Sequence, residues 1–108
     1  MLKVILMLYA KALNQLKNIF EVTMALDTIY LDHFLDGGIL KEKSFRNQVA
    51  ETDWTQYKGK KVIIKGCAEV PIPTWAYLII TAQLAQVAQK IYYGEPRYAV
   101  EVFNQKDV

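Results

Sequence analysis

Val62-Ile63-Ile64 is the stretch that most narrows what this chain can become. Three consecutive β-branched residues stiffen an extended backbone, and successive side chains of a strand point to opposite faces, so an unbroken apolar run predicts a strand covered on both sides. Shortly after it, Pro71 and Pro73 cannot donate to a central ladder. Both suit the entry to a helix, with Thr74 as the expected N-cap. From Thr74 to about Ala88, the residues Trp75, Leu78, Ala82, Ala85 and Ala88 make an apolar stripe, with Gln83, Gln86 and Lys90 opposite. Ile91-Tyr92-Tyr93 then reads as a strand closed by Gly94-Glu95-Pro96, and Tyr98 to Phe103 alternates as a half-buried final strand. Strand, helix, strand with short joints is a βαβ unit. The expected class is therefore α/β, a small sheet of three to four strands flanked by helices.

Upstream, Thr28 to Leu31 is a short β-prone run, and Asp36-Gly37-Gly38 is a turn signal. From Ile39 the apolar positions Leu40, Phe45 and Val49 predict a helix ending near Glu51. Thr52 to Lys60 reads as a loop anchored by Trp54 and Tyr57. Residues 24–108 are expected to form a single α/β domain, since 108 residues that are 53% hydrophobic suffice for one core.

Residues 1–23 read as an amphipathic helical extension. Val4 to Ala10 is apolar without a break, yet far short of the ~20 residues of a membrane span. Ala10-Lys11-Ala12 loosely imitates a signal-peptidase site. Beyond it, however, Lys11, Asn14, Gln15 and Asn18 share one helical face and Leu13, Leu16, Ile19 and Phe20 the other, which a cleaved peptide would not need. Its polar face carries few cations, so packing on the domain or on a partner subunit is expected in preference to membrane-surface docking. Met24 offers an alternative start.

A formal net charge of +2 is too mild for the massed basic face of a nucleic-acid binder, and Lys58, Lys60, Lys61 and Lys65 flank a turn and a strand, where solvated lysines are ordinary. No nucleic acid is expected as a partner. One cysteine cannot form an internal disulfide and no Asn-x-Ser/Thr sequon occurs, which points to a reducing compartment, the cytoplasm.

The chemistry concentrates in Gly66 to Pro73. A loop leaving the carboxyl end of a strand in a βαβ unit opens onto the usual ligand crevice of α/β sheets, and the single cysteine, Cys67, sits in this one. The helix following it offers unpaired amides near Thr74 and Trp75, which favour an anion or a thiolate. Gly66, Glu69, Thr74, Trp75 and Tyr77 are the candidate ligand-binding residues, and Cys67 is the candidate catalytic one. The commoner explanations are structural: a free cysteine is among the most buried residue types, and aromatics at helix entrances are usually core anchors. The layout Cys-x-x-x-Pro-x-Pro is similar to the strand, Cys-Pro-x-Pro, helix arrangement of small sulfur-relay carriers, with Ala68-Glu69-Val70 inserted. His33, the sole histidine, is the only available imidazole base for Cys67. One Cys, one His and scattered carboxylates match no metal-ligand spacing, and the five glycines form no nucleotide fingerprint, so neither metal nor cofactor is expected. Asp32, Asp36, Glu42 and Glu69 read as surface carboxylates unless the fold converges them.

With Leu40-Lys-Glu-Lys43, Phe45-Arg46, Asp53-Trp54-x-Gln56-Tyr57, Lys65-Gly66-Cys67, Pro73-Thr-Trp-Ala-Tyr77 and Tyr93-Gly94 in order, Asp27 to Phe103 resembles an uncharacterised bacterial family catalogued as a domain of unknown function. Its members are longer and carry two related segments, each a cysteine-containing strand followed by a proline-bounded helix. The resemblance implies that this chain is a single such segment and that the Cys67 loop is the place to look. Uncovered sheet edges then argue for a homodimer. Two functions compete: a non-enzymatic module binding a small anionic ligand or a protein segment, and a thiol-dependent sulfur carrier or transferase using Cys67.

Overall fold

The computed structural model describes residues 2–11 and 26–107. Residues 2–11 are helical, labelled α1, and each of them is exposed; of the two-faced pattern expected from Lys11 to Phe20, all but Lys11 lies outside the described residues. No helix among the described residues is long and apolar enough to cross a membrane.

Four strands form one sheet in chain order: β1 (Asp27–Tyr30), β2 (Lys61–Lys65), β3 (Lys90–Tyr93) and β4 (Val100–Asn104). The first three are parallel and β4 runs antiparallel to β3. Parallel neighbours need a crossover, which α2 (Glu42–Glu51) supplies between β1 and β2 and α3 (Thr74–Leu84) between β2 and β3. The chain thus holds two βαβ units, one more than the sequence suggests.

Strand β2 is the axis of the core, with Val62, Ile63 and Ile64 at most 1% exposed. Val62 and Ile64 share a cluster with Ile29 and Ile91 from the sheet, with Leu31 from the turn that follows β1, and with Phe45, Val49, Ala76, Ile80 and Leu84 from the helices. Ile63 is sealed as completely but falls outside that cluster, on the face where its cross-strand neighbours are Thr28 and Tyr92. Helices α2 and α3 lie over one face of the sheet, and on the other face Ile63 is fully buried as well. In α2, Phe45 and Val49 lie one turn apart on the buried side, and the Phe45 ring sits 5.3 Å from Phe34 and 5.6 Å, edge-on, from Trp75.

The structure corrects four expectations. Helix α2 begins at Glu42, because Asp36 and Ile39 close a bridge across Gly37 and Gly38, both at positive φ, and this turn leaves Ile39 exposed. Pro73, not Thr74, caps α3, its carbonyl accepting from the Ala76 amide at 3.0 Å. The buried stripe of α3 is Ala76, Ile80 and Leu84, and Leu78 is 63% exposed. Because TWAYLIITAQL is apolar on nearly every side, periodicity could not choose the face. The four-residue spacing from the small Ala76 sets it, since a short side chain lets the helix approach the sheet. Finally, β4 does not alternate as a half-buried strand: its register against β3 shifts at Ile91/Tyr92, so Phe103 packs on the core while Val100 and Val102 stay exposed.

The two rims of the parallel strands differ. At the amino rim, the Gly59 amide donates to Val87 O at 2.9 Å and the Gln89 amide to Lys60 O at 2.8 Å, tying the lead-ins of β2 and β3 together. The aromatic turn before β2 is pinned as expected: Trp54 Nε1 donates to Val49 O at 2.9 Å, and Asp53 accepts from the Thr55 amide at 3.1 Å. At the carboxyl rim, Gly94 N to Ile64 O at 3.2 Å links the two strand exits.

Candidate functional site

Because β2 and β3 are parallel neighbours, with Ile64 opposite Tyr93, their carboxyl ends release the chain side by side. A cleft of about 230 Å³ opens there. The exit of β2 contributes Gly66, Cys67 and Ala68, the exit of β3 contributes Tyr93, Gly94 and Glu95, and α3 reaches in with Tyr77. It lies at the carboxyl ends of parallel strands, the end at which α/β sheets bind ligands, although the strand order here runs on without the reversal that usually opens such a crevice. A second hollow, about 280 Å³, lies along the edge strand at Glu101–Asn104 and Asp107. It is larger, but among the described residues no nucleophile or aromatic hydroxyl lines it.

Of the residues singled out from the sequence, Gly66, Cys67 and Tyr77 meet in the cleft. Glu69 and Thr74 are exposed and do not line it, and Trp75 turns to the core against Phe45. Cys67 is a free, half-exposed thiol outside the hydrophobic cluster. Lys65, the last residue of β2, pairs with Glu95, with Nζ to Oε2 at 2.9 Å, and lies 5.5 Å from the centre of the Tyr30 ring. His33 stacks on that same ring at 5.3 Å. Asp36 pairs with Lys41 and Glu42 with Arg46, as surface carboxylates do.

Tyr93, Gly94 and Glu95 are the members that motif reasoning missed. Their signal was topological: in consecutive βαβ units the next strand's exit must border the loop of the one before. Gly94 is the residue that can make this exit, turning at φ 112°.

The interior of the cleft is built on one close approach. The Tyr77 hydroxyl sits where a side chain on residue 66 would begin, so a Cβ there would overlap it. Gly66 is therefore required by its neighbour rather than by its own φ, which is not in the left-handed region. Tyr77 and Tyr93 meet edge to face, centroids 5.1 Å apart and planes at 88°. Burial pushes the Tyr77 phenol above its ordinary value, and the neighbouring Tyr93 and Cys67 raise it further. The Lys65 ammonium is also raised, chiefly by its hydrogen bond to Glu95.

This geometry defines a small α/β protein with an open polar cleft at the carboxyl rim of a parallel sheet. The chain belongs to the family described as Protein of unknown function (DUF2480), whose model matches residues 7–105, further toward the N-terminus than the motif resemblance beginning at Asp27. No curated protein and no solved structure matches it.

Two outcomes follow from the packing of Tyr77. Gly66→Ala should cost about 1–3 kcal/mol, the usual range for overpacking, and should cost little in a Tyr77→Phe background. Urea denaturation of the four-member cycle should give a coupling of about 1 kcal/mol or more, and simple additivity would show that the contact is absent. A phenol whose folded pKa is raised contributes stability that is fully present below the unfolded value of about 10 and is lost as pH climbs through the folded value. Unfolding free energy measured from pH 8 to 11.5 should therefore fall above about 10, and less steeply in Tyr77→Phe. Tyr57, raised chiefly by burial, and Lys65 contribute to the decline that remains.

Proposed function

We propose that this protein is a non-enzymatic ligand-binding module of the cytoplasm, its site the cleft between the exits of β2 and β3. The observation that carries the reading is the convergence of Gly66, Tyr77, Tyr93 and Glu95 around an open hollow at the carboxyl ends of parallel strands. Two phenols and a carboxylate supply hydrogen-bonding groups, and the aromatic rings supply apolar contact. The helix-terminal amides near Thr74 stand outside this lining, so a small ligand without negative charge fits better than the anion expected from the sequence. Cys67 is a wall of the cleft.

A titration of ¹⁵N-labelled protein with benzyl alcohol and, separately, inorganic phosphate tests this. The alcohol should shift the Gly66 and Gly94 amides and phosphate should not, and Cys67→Ala should bind as the parent does. Silence at both glycines toward the alcohol and toward its cationic counterpart, benzylammonium, would end the reading. Because Cys67 is half-exposed and faces the cleft, the competing reading is a thiol-dependent sulfur carrier or transferase. In that case Cys67→Ala would abolish persulfide loading or turnover while leaving Tm nearly unchanged.

The reading includes a homodimer. Among the described residues nothing pairs with the outer edges of β1 and β4, and exposed Val100 and Val102 lie on the latter. Sedimentation equilibrium should return twice the 12.4 kDa chain mass, and a single-chain mass would remove this part.

A further inference from the structure

We infer that the ligand of this cleft is a small primary amine, bound as its ammonium ion. The inference rests on the cleft being a ligand site and goes on to name the chemistry that site selects. Among the described residues that line it, Glu95 brings the only full charge, and that charge is negative. Its ion pair with Lys65 is made through Oε2, which leaves Oε1 to accept a second donor.

Ile64 faces the helices, so pleat alternation directs Lys65, one residue on, to the opposite face, where it lies against the Tyr30 ring before its ammonium reaches Glu95 Oε2. Among the described residues no lysine or arginine lines the cleft itself. What it has is the right-angled pair of Tyr77 and Tyr93, each with an electron-rich ring and a hydroxyl that can accept a proton donor. Aromatic faces attract an ammonium within about 6 Å of the ring centre, most strongly when water is displaced. An ammonium at this corner would donate to Glu95 Oε1 and rest against a phenol, and its carbon chain would run over Gly66 and Gly94, which have no side chains to obstruct it. An anion would meet the Glu95 carboxylate, and a neutral alcohol would forgo both the charge-assisted hydrogen bond and the ring attraction.

Matched probes decide the matter. Benzylammonium, benzyl alcohol and benzoate have similar shapes and differ in charge at neutral pH. In titrations read at the Gly66 and Gly94 amides, benzylammonium should bind at least tenfold more tightly than benzyl alcohol, and benzoate should not bind. Glu95→Gln should cut that preference at least fivefold, leaving only the share due to the tyrosine rings, while Lys65→Met, which frees both carboxylate oxygens, should preserve or increase it. A melting curve for each variant checks that it is folded. If alcohol and ammonium bind equally, or if Glu95→Gln leaves the preference unchanged, the amine assignment is wrong and the cleft remains a ligand site. If none of the three moves either glycine, the assignment falls together with the site it rests on.

Discussion

The burial of β2 is the constraint from which the rest of this structure follows. A strand flanked by parallel neighbours on both edges must reach each of them through a crossover, and both crossovers here are helices whose apolar residues close over Val62 and Ile64. The burial of each such side chain contributes about 1.5–3 kcal/mol, and sheet and helices form no core apart from one another. The same parallel arrangement brings the exits of β2 and β3 together. The cleft is thus a by-product of the core's own geometry, and Tyr77 serves both, packing against the core and lining the cleft.

Much of the fold was legible because its signals were local and chemically sharp. The β-branched run, the Asp36-Gly37-Gly38 turn, the aromatic anchors at Trp54 and Tyr57 and the proline-bounded helix each reflect a backbone or hydrogen-bonding constraint carried within a few residues. What escaped was decided by tertiary contact. The apolar surface of α3 fits several rotations, and only the approach of Ala76 to the sheet selects one. The final strand has a regular alternation that its shifted pairing against β3 does not use.

The site was legible by half for the same reason. Gly66, Cys67 and Tyr77 could be named because the loop after a central strand is the expected crevice. Trp75 and Thr74 are close to them in sequence, but the helix points one at the core and leaves the other outside the cleft. Tyr93 and Glu95 are distant in sequence and become neighbours of Cys67 only through parallel pairing, as Lys65 and Glu95 do through their ion pair. The DUF2480 family match is consistent with this frame and adds no chemistry to it.

The unequal rims have a consequence for how such a chain can change over time. Backbone hydrogen bonds fasten the lead-ins of β2 and β3 to each other, independently of which side chains occupy that end. The segment from Gly66 to Pro73 has no regular structure of its own, and its far end is held by Ile72 on the core and by the start of α3. Its middle can therefore lengthen, shorten or exchange residues without disturbing strand register. The lining of the cleft at one end of the sheet is free to diverge while the scaffold at the other end stays fixed.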